Sequence, residues 1–189
     1  MKLVLASASP RRSELLLQMG LDFETKTVDI DETPVEGEKP RAYVSRLALE
    51  KARAARKFYQ QNNVLILGSD TAVIIGNEIL GKPVDKQHAY DMLMKLSGKT
   101  HTVLTSVALV GKKETCIISE SAVTFSAITD EEFEWYWATG ESNGKAGAYA
   151  IQGKAAMFIK HIEGSFSGVM GLPIFETNQL LKEQGYYLA

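Results

Sequence analysis

Residues 5–16 read LASASPRRSELL. The first of them close the apolar run KLVLA (2–6), the pattern of a strand buried on both faces. Ser9 then offers an N-cap and Pro10 the first helical position, Leu15, Leu16 and Met19 supply an apolar face, and Gly20 supplies a stop. A buried strand running straight into a helix is a building block of α/β folds. The first helical turn is the anomaly. Arg11 and Arg12 sit where the N–H groups already present partial positive charge, at a cost of roughly 0.3–1 kcal/mol each. Such a terminus is an anion site, and guanidinium groups grip phosphate oxygens with paired N–H donors. Ser7, Ser9, Arg11 and Arg12 therefore form a candidate phosphate site. The plainer reading, solvated arginines beside an ordinary serine cap, stays open on this stretch alone.

Outward from that stretch, FETKTV (23–28) alternates like an edge strand, and DIDETPVEGEKP (29–40) reads as an acidic loop. Pro40 opens a long helix with Val44, Leu47, Ala48, Ala52 and Ala55 on its buried face, fading near Asn62. VLILGSD (64–70) is a second buried strand, and TAVIIGNEIL (71–80) a hairpin turning at Gly76-Asn77. Asp85 caps a helix through Met94. Residues 100–110 and 114–126 form long strands joined at Gly111-Lys112-Lys113. Thr129 and Glu132 make a capping box for a helix to about Ala138. A glycine-rich stretch (139–156), a strand at MFIKHIE (157–163) and a helix from Pro173 to Gly185 follow. The class is α/β with a mixed sheet.

Composition narrows the function. The 189 residues are 45% hydrophobic and 23% charged, enough for a core in one domain or one domain with two lobes. A net charge of −2 argues against a nucleic-acid polymer as partner. No stretch approaches the roughly 20 apolar residues of a membrane span, and the N-terminal apolar run is too short for a secretory signal. The one cysteine, Cys116, reads as a small buried hydrophobe and fits a reducing cytoplasm. His88, His101 and His161 lack zinc-ligand spacing. Trp135, Tyr136 and Trp137 read as core or interface packing.

Further places along the chain stand out. Lys51 lies in the apolar stripe of the long helix, where the plainer reading is a stem lying on apolar surface with its head in water. Lys82 sits on the tight turn Gly81-Lys82-Pro83, suited to holding a point charge toward phosphate, although surface turns often carry lysine. Asp70 ends an apolar strand, where α/β sheets gather ligands. It suits Mg²⁺ coordination, proton transfer from water, or only an Asx-turn. Between Gly144 and Gly153, backbone can approach a ligand closely, and the amide of Gln152 can read a base edge; a flexible loop is the plainer reading. The acidic cluster Asp29, Asp31 and Glu32 reads more readily as a solvated loop, with Glu32 a candidate metal ligand.

LASASPRRSELL, LALEKA, GSDTAV, GKP, KLSGKTHTVLTSVAL, GKAGAYAIQG and GSFSGVMGLP occur in that order, and through them the chain resembles the Maf family of nucleoside triphosphate pyrophosphatases over nearly its whole length. The resemblance implies a single domain over 1–189, with an elongated mixed sheet in two lobes, a central cleft, and kinship to inosine triphosphate pyrophosphatases. It implies Mg²⁺- or Mn²⁺-dependent house-cleaning hydrolysis of a nucleoside triphosphate to monophosphate and pyrophosphate. Ser7, Arg12, Lys51 and Lys82 would surround the phosphates, and Asp70 would be proton acceptor or metal ligand. Arg11, Thr71 and Gln152 resemble the markers of the branch acting on dTTP and UTP, with CTP or modified pyrimidine nucleotides not separated. Gly144 stands where some members carry aspartate. A homodimer is implied, with the Trp135–Trp137 helix as one interface. The rival readings are a non-catalytic nucleotide-binding regulator of cell division and another phosphate-ester hydrolase.

Overall fold

Residues 1–187 are described in the computed structural model. They form β1 (Lys2–Leu5), α1 (Pro10–Gln18), β2 (Glu24–Thr25), α2 (Pro40–Arg56), β3 (Val64–Ile75), β4 (Glu78–Leu80) and α3 (Lys86–Leu96). Then come β5 (Thr100–Val110), β6 (Glu114–Phe125), α4 (Asp130–Ala138), β7 (Ile159–Glu163), α5 (Phe166–Met170) and α6 (Ile174–Glu183). The strands lie in one mixed sheet ordered β2-β1-β3-β5-β6-β7, with β4 paired to β3. β1 runs parallel to both β2 and β3, placing Val4 opposite Glu24 and Ile66. Parallel neighbours need a crossover, and α2 lies in the connection from β1 to β3. The β3–β4 hairpin is antiparallel, pairing Val73 with Leu80.

The chain divides into two units. The first holds Met1–Asp70, Thr105–Ser119 and the chain from Gly171 on; the second holds Thr71–Leu104 and Glu120–Met170. In the first, Ala52 and Ala55 of α2 pack on Val4 of β1 and Val64 and Ile66 of β3. The small alanine stripe lets the helix lie close to the strands. The core of the second unit is built on larger side chains, among them Leu93, Leu96, Phe125, Phe133, Tyr136 and Phe158. Its rings meet edge to face, as Phe125 does with His101 and Tyr149 at 5.0 Å between centroids.

Local signals set most boundaries. Asp85 accepts the His88 N–H at 2.8 Å, and the Thr129–Glu132 capping box is formed. Elsewhere the structure differs from the sequence reading. α2 ends at Arg56 rather than near Asn62. Residues 154–158 form a 3₁₀ turn, so the strand begins only at Ile159. The short helix α5 lies where no element was read. Cys116 is half-buried rather than buried, with Sγ 3.0 Å from Ser106 Oγ. On α4 the aromatic run splits: Tyr136 is fully buried, while Trp135 is about half exposed. Among the described residues no helix is long and apolar enough to cross a membrane.

Candidate active site

Gly68 and Asp70, two apart on β3, share one face of the strand. A Cβ on Gly68 would overlap the carbonyl oxygen of Ala48 and lie 3.0 Å from the Ala52 nitrogen. The missing side chain thus lets α2 settle directly on β3, and this brings Lys51 beside Asp70. Lys51 Nζ stands 2.7 Å from Asp70 Oδ1 and 2.7 Å from Glu32 Oε1. The Lys51 and Asp70 side chains are only 12% and 10% exposed, against 43% for Glu32. Lys51 therefore does not reach out to water along its stem, and Asp70 is no simple turn residue. Burial pushes the Asp70 carboxyl above its ordinary range, while the charges of Lys51 and Arg12 pull it back. Glu32 overturns the reading of a purely solvated acidic loop, because its carboxylate is engaged with Lys51.

The β1–α1 junction lies in the same unit. Ser7 Oγ accepts the Ser9 N–H at 3.1 Å and Arg12 Nη1 at 3.3 Å. Arg12 Nε donates to the Gly171 carbonyl at 2.8 Å, and the buried Ser69 Oγ donates to the same oxygen at 3.0 Å. Burial lowers the proton affinity of Arg12, and the charge of Asp70 is the main opposing influence. The cost of an arginine at this helix start is thus offset in part within the chain, by a distant carbonyl and a nearby carboxylate. Ser9 corrects the expected cap. Its backbone occupies the N-cap position, but its side chain caps nothing, and Ser7 supplies the hydroxyl that takes up an N–H at the junction. Arg11 is half-buried; burial lowers its proton affinity and Glu14 raises it.

The second unit holds the remaining candidates. Thr71 follows Asp70 on β3 and is half-buried; Lys82 and Gln152 are exposed. The Gly81 carbonyl accepts the Gly147 N–H at 3.0 Å, so the turn carrying Lys82 is tied to the glycine-rich stretch. That stretch is no slack loop. Gly147 has φ +65°, and a Cβ there would lie 2.9 Å from Val73. Past Gln152, the Lys154 and Ala155 N–H groups donate to the Glu141 carboxylate at 2.7 and 3.1 Å, and Tyr136 Oη donates to it at 3.1 Å. Tyr149 Oη pairs with His101 Nε2 at 2.8 Å.

Gly68, Ser69 and Gly171 were not read as positioning groups. A glycine inside an otherwise apolar strand was the available sign for Gly68; the other two act across long sequence distances and left none. For a metal, the described residues contain no group of three or more His, Cys, Asp or Glu able to hold one. Asp70 and Glu32 offer carboxylates on either side of one ammonium. Mg²⁺ commonly binds through one or two carboxylates together with substrate phosphates, and this donor set fits that mode rather than an all-protein cage.

Residues 2–184 match the family described as Maf-like protein. The chain belongs to the Maf family. Among Maf relatives, a protein of Alkalilimnicola ehrlichii named dTTP/UTP pyrophosphatase is 51% identical over 95% of this chain and 91% of its own. One of Hydrogenovibrio crunogenus with the same name is 47% identical over 98% and 97%. Among solved structures, the Staphylococcus aureus Ham1 protein overlaps 67% of this Maf chain and 72% of its own, at 13% identity and a TM-score of 0.48.

Proposed function

We propose that this Maf protein hydrolyses dTTP and UTP to the monophosphate and pyrophosphate. The observation that carries the reading is the Lys51 ammonium held 2.7 Å from both Asp70 and Glu32 at a buried helix–strand contact. The names of the relatives support the substrate.

Lys51, Arg12 and Lys82 are the cations that receive the triphosphate, with Ser7, Ser9 and Arg11 lining the helix start. Phosphate oxygens compete with the two carboxylates for Lys51. As the ammonium turns to phosphate, Asp70 loses the cation that held its proton affinity down, and becomes a better base than a carboxylate of ordinary pKa, about 3.9. Water attacks the α-phosphorus, the bond from that phosphorus to the bridging oxygen breaks, and pyrophosphate leaves. The proton of the water passes to the Asp70 carboxylate. A divalent metal, Mg²⁺ or Mn²⁺, would neutralise phosphate charge here, with Glu32, or Asp70 in place of its role as base, as the residue to hold it. Gln152, with Arg11 and Thr71, selects the base: uracil and thymine present an N3 donor between carbonyl acceptors, which a carboxamide matches. We take the setting to be the cytoplasm, and the assembly to be a homodimer using the α4 surface around Trp135.

Product analysis tests the reaction. UTP and Mg²⁺ in ¹⁸O-water should give labelled UMP and unlabelled pyrophosphate. Orthophosphate with UDP would mean terminal attack, and no product would leave a binding protein; either result overturns the proposal.

A further inference from the structure

The loop at residues 29–40 carries no regular secondary structure before Pro40, where α2 begins, and is mostly exposed, yet α2 holds it at several points. Arg46 donates from Nε to Glu38 Oε1 and from Nη2 to Glu38 Oε2, both at 2.7 Å, and from Nη2 to the Thr33 carbonyl at 3.1 Å. Its Nη1 lies 3.3 Å from Glu50. Glu38 Oε2 also accepts the Val35 N–H at 3.1 Å, which folds the loop on itself. Tyr43 donates its hydroxyl to the Glu32 carbonyl at 3.0 Å. Tyr43, Arg46 and Glu50 are three and four residues apart and so lie along one side of α2.

The Arg46–Glu38 pair does not come and go with ordinary pH, because the Arg46 guanidinium holds the Glu38 carboxyl down at about 2. A paired guanidinium–carboxylate contact is also the strong, directional form of an ion pair. A half-exposed carboxylate on a free loop would gain little from meeting Lys51, since ordering the loop would absorb the gain. Here the loop is already ordered when Glu32 meets the ammonium.

We propose that Arg46 and Tyr43 are positioning residues, docking the 29–40 loop on α2 so that Glu32 shares the Lys51 ammonium with Asp70. They act through Glu32 and touch no substrate. The inference rests on the roles proposed above for Lys51 and Asp70.

A double-mutant cycle on the full chain tests it, read in kcat/KM for UTP and in Kd for a non-hydrolysable UTP analogue. Arg46→Ala should lower kcat/KM on the order of ten- to a hundredfold, the penalty of a misplaced group. Tyr43→Phe should lower it less. Added to Glu32→Gln, neither change should lower it further, because all three act on one contact. Losses that multiply, or a loss in Arg46→Ala with none in Glu32→Gln, overturn the proposal. If Arg46→Ala does not fold, Tyr43→Phe, which removes one hydroxyl, carries the same comparison. A wild-type protein that releases no pyrophosphate refutes the proposed function instead, and the cycle in Kd then decides the role of Arg46 and Tyr43.

Discussion

The charged cluster of the first unit and the glycine-rich stretch of the second are fixed by different means. In the first, side chains do the holding: Lys51 between Asp70 and Glu32, and Arg12 on Gly171 and Ser7. In the second, the backbone does it, through left-handed Gly147 and Ala148 and through N–H groups gathered by Glu141, while Lys82 and Gln152 stand exposed. The contrast follows from the tasks proposed for them. Stabilising charge that develops on phosphate needs partners already oriented and partly withdrawn from water. Reading a base edge needs an amide free to turn, on a backbone that does not move.

The largest effect that would sharpen this contrast is expected at Asp70. Asp70→Asn keeps the shape but removes the charge that faces Lys51 and that, in the mechanism proposed, accepts the proton. Turnover of UTP should fall about a thousandfold, within the range for general bases, while the affinity for a non-hydrolysable analogue remains measurable. Near-normal turnover would remove Asp70 from the chemistry and leave the first unit a binding site only. Next comes Gly68→Ala. The added methyl meets the Ala48 carbonyl, which is main chain and cannot swing aside. A stability loss of about 1–3 kcal/mol is expected in urea unfolding, with a fall in kcat/KM as Lys51 moves off Asp70. Unchanged stability with unchanged turnover would show that close helix–strand approach does not set the site.

Much of this was legible in the sequence where the signal is local. β1 and the first part of β3, Val64–Leu67, are apolar runs, and the caps at Asp85 and Thr129 lie within three residues of their partners. Lys51 and Asp70 stood out because each breaks a local rule: a cation in an apolar stripe, an acid after an apolar run, although β3 does not end at Asp70 as expected but continues to Ile75. What was missed is long-range. The Gly171 carbonyl that orients Arg12 is 159 residues away from it, and 102 from Ser69, which shares it. No spacing rule reaches that far. Ser9 stands at the N-cap by its backbone, yet its side chain accepts no helical N–H, and its own N–H goes to Ser7 two places earlier. Glu32 stood out only as a candidate metal ligand in an otherwise solvated acidic loop, since nothing in DIDET marks which carboxylate α2 will face.

A third effect separates the units by pH. His101 is 2% exposed, and burial pushes its imidazole down from 6.5 to about 4. The folded chain thus holds it neutral where the unfolded chain protonates it. Its contribution to stability is complete above about pH 6.5, declines as pH falls toward 4, and is flat below, a total of up to about 3 kcal/mol. Urea unfolding at steps from pH 7 to pH 4 should show this slope in the wild type and a shallower one in His101→Phe. Equal slopes would mean that the acid sensitivity of the chain arises elsewhere, the Lys51 cluster included.

The smallest expected effect is also the sharpest test of the division of labour. If the second unit only selects, Gln152→Ala should leave α-phosphate chemistry intact and change which base is accepted. UTP and dTTP should each lose about tenfold in kcat/KM, the worth of one or two neutral hydrogen bonds. Guanine carries the same donor and acceptor at N1–H and O6, so GTP should change little only because its two-ring base is too large to seat at the amide, and the pyrimidine-to-purine ratio then falls. CTP is the informative case. A carboxamide that turns over presents its N–H₂ and C=O in either order, so a loss on CTP equal to that on UTP would show an amide free to rotate, and a smaller loss one held in a single orientation. Equal losses on UTP, dTTP, CTP and GTP would break the comparison, because Gln152 would then be serving the phosphates like the residues of the first unit.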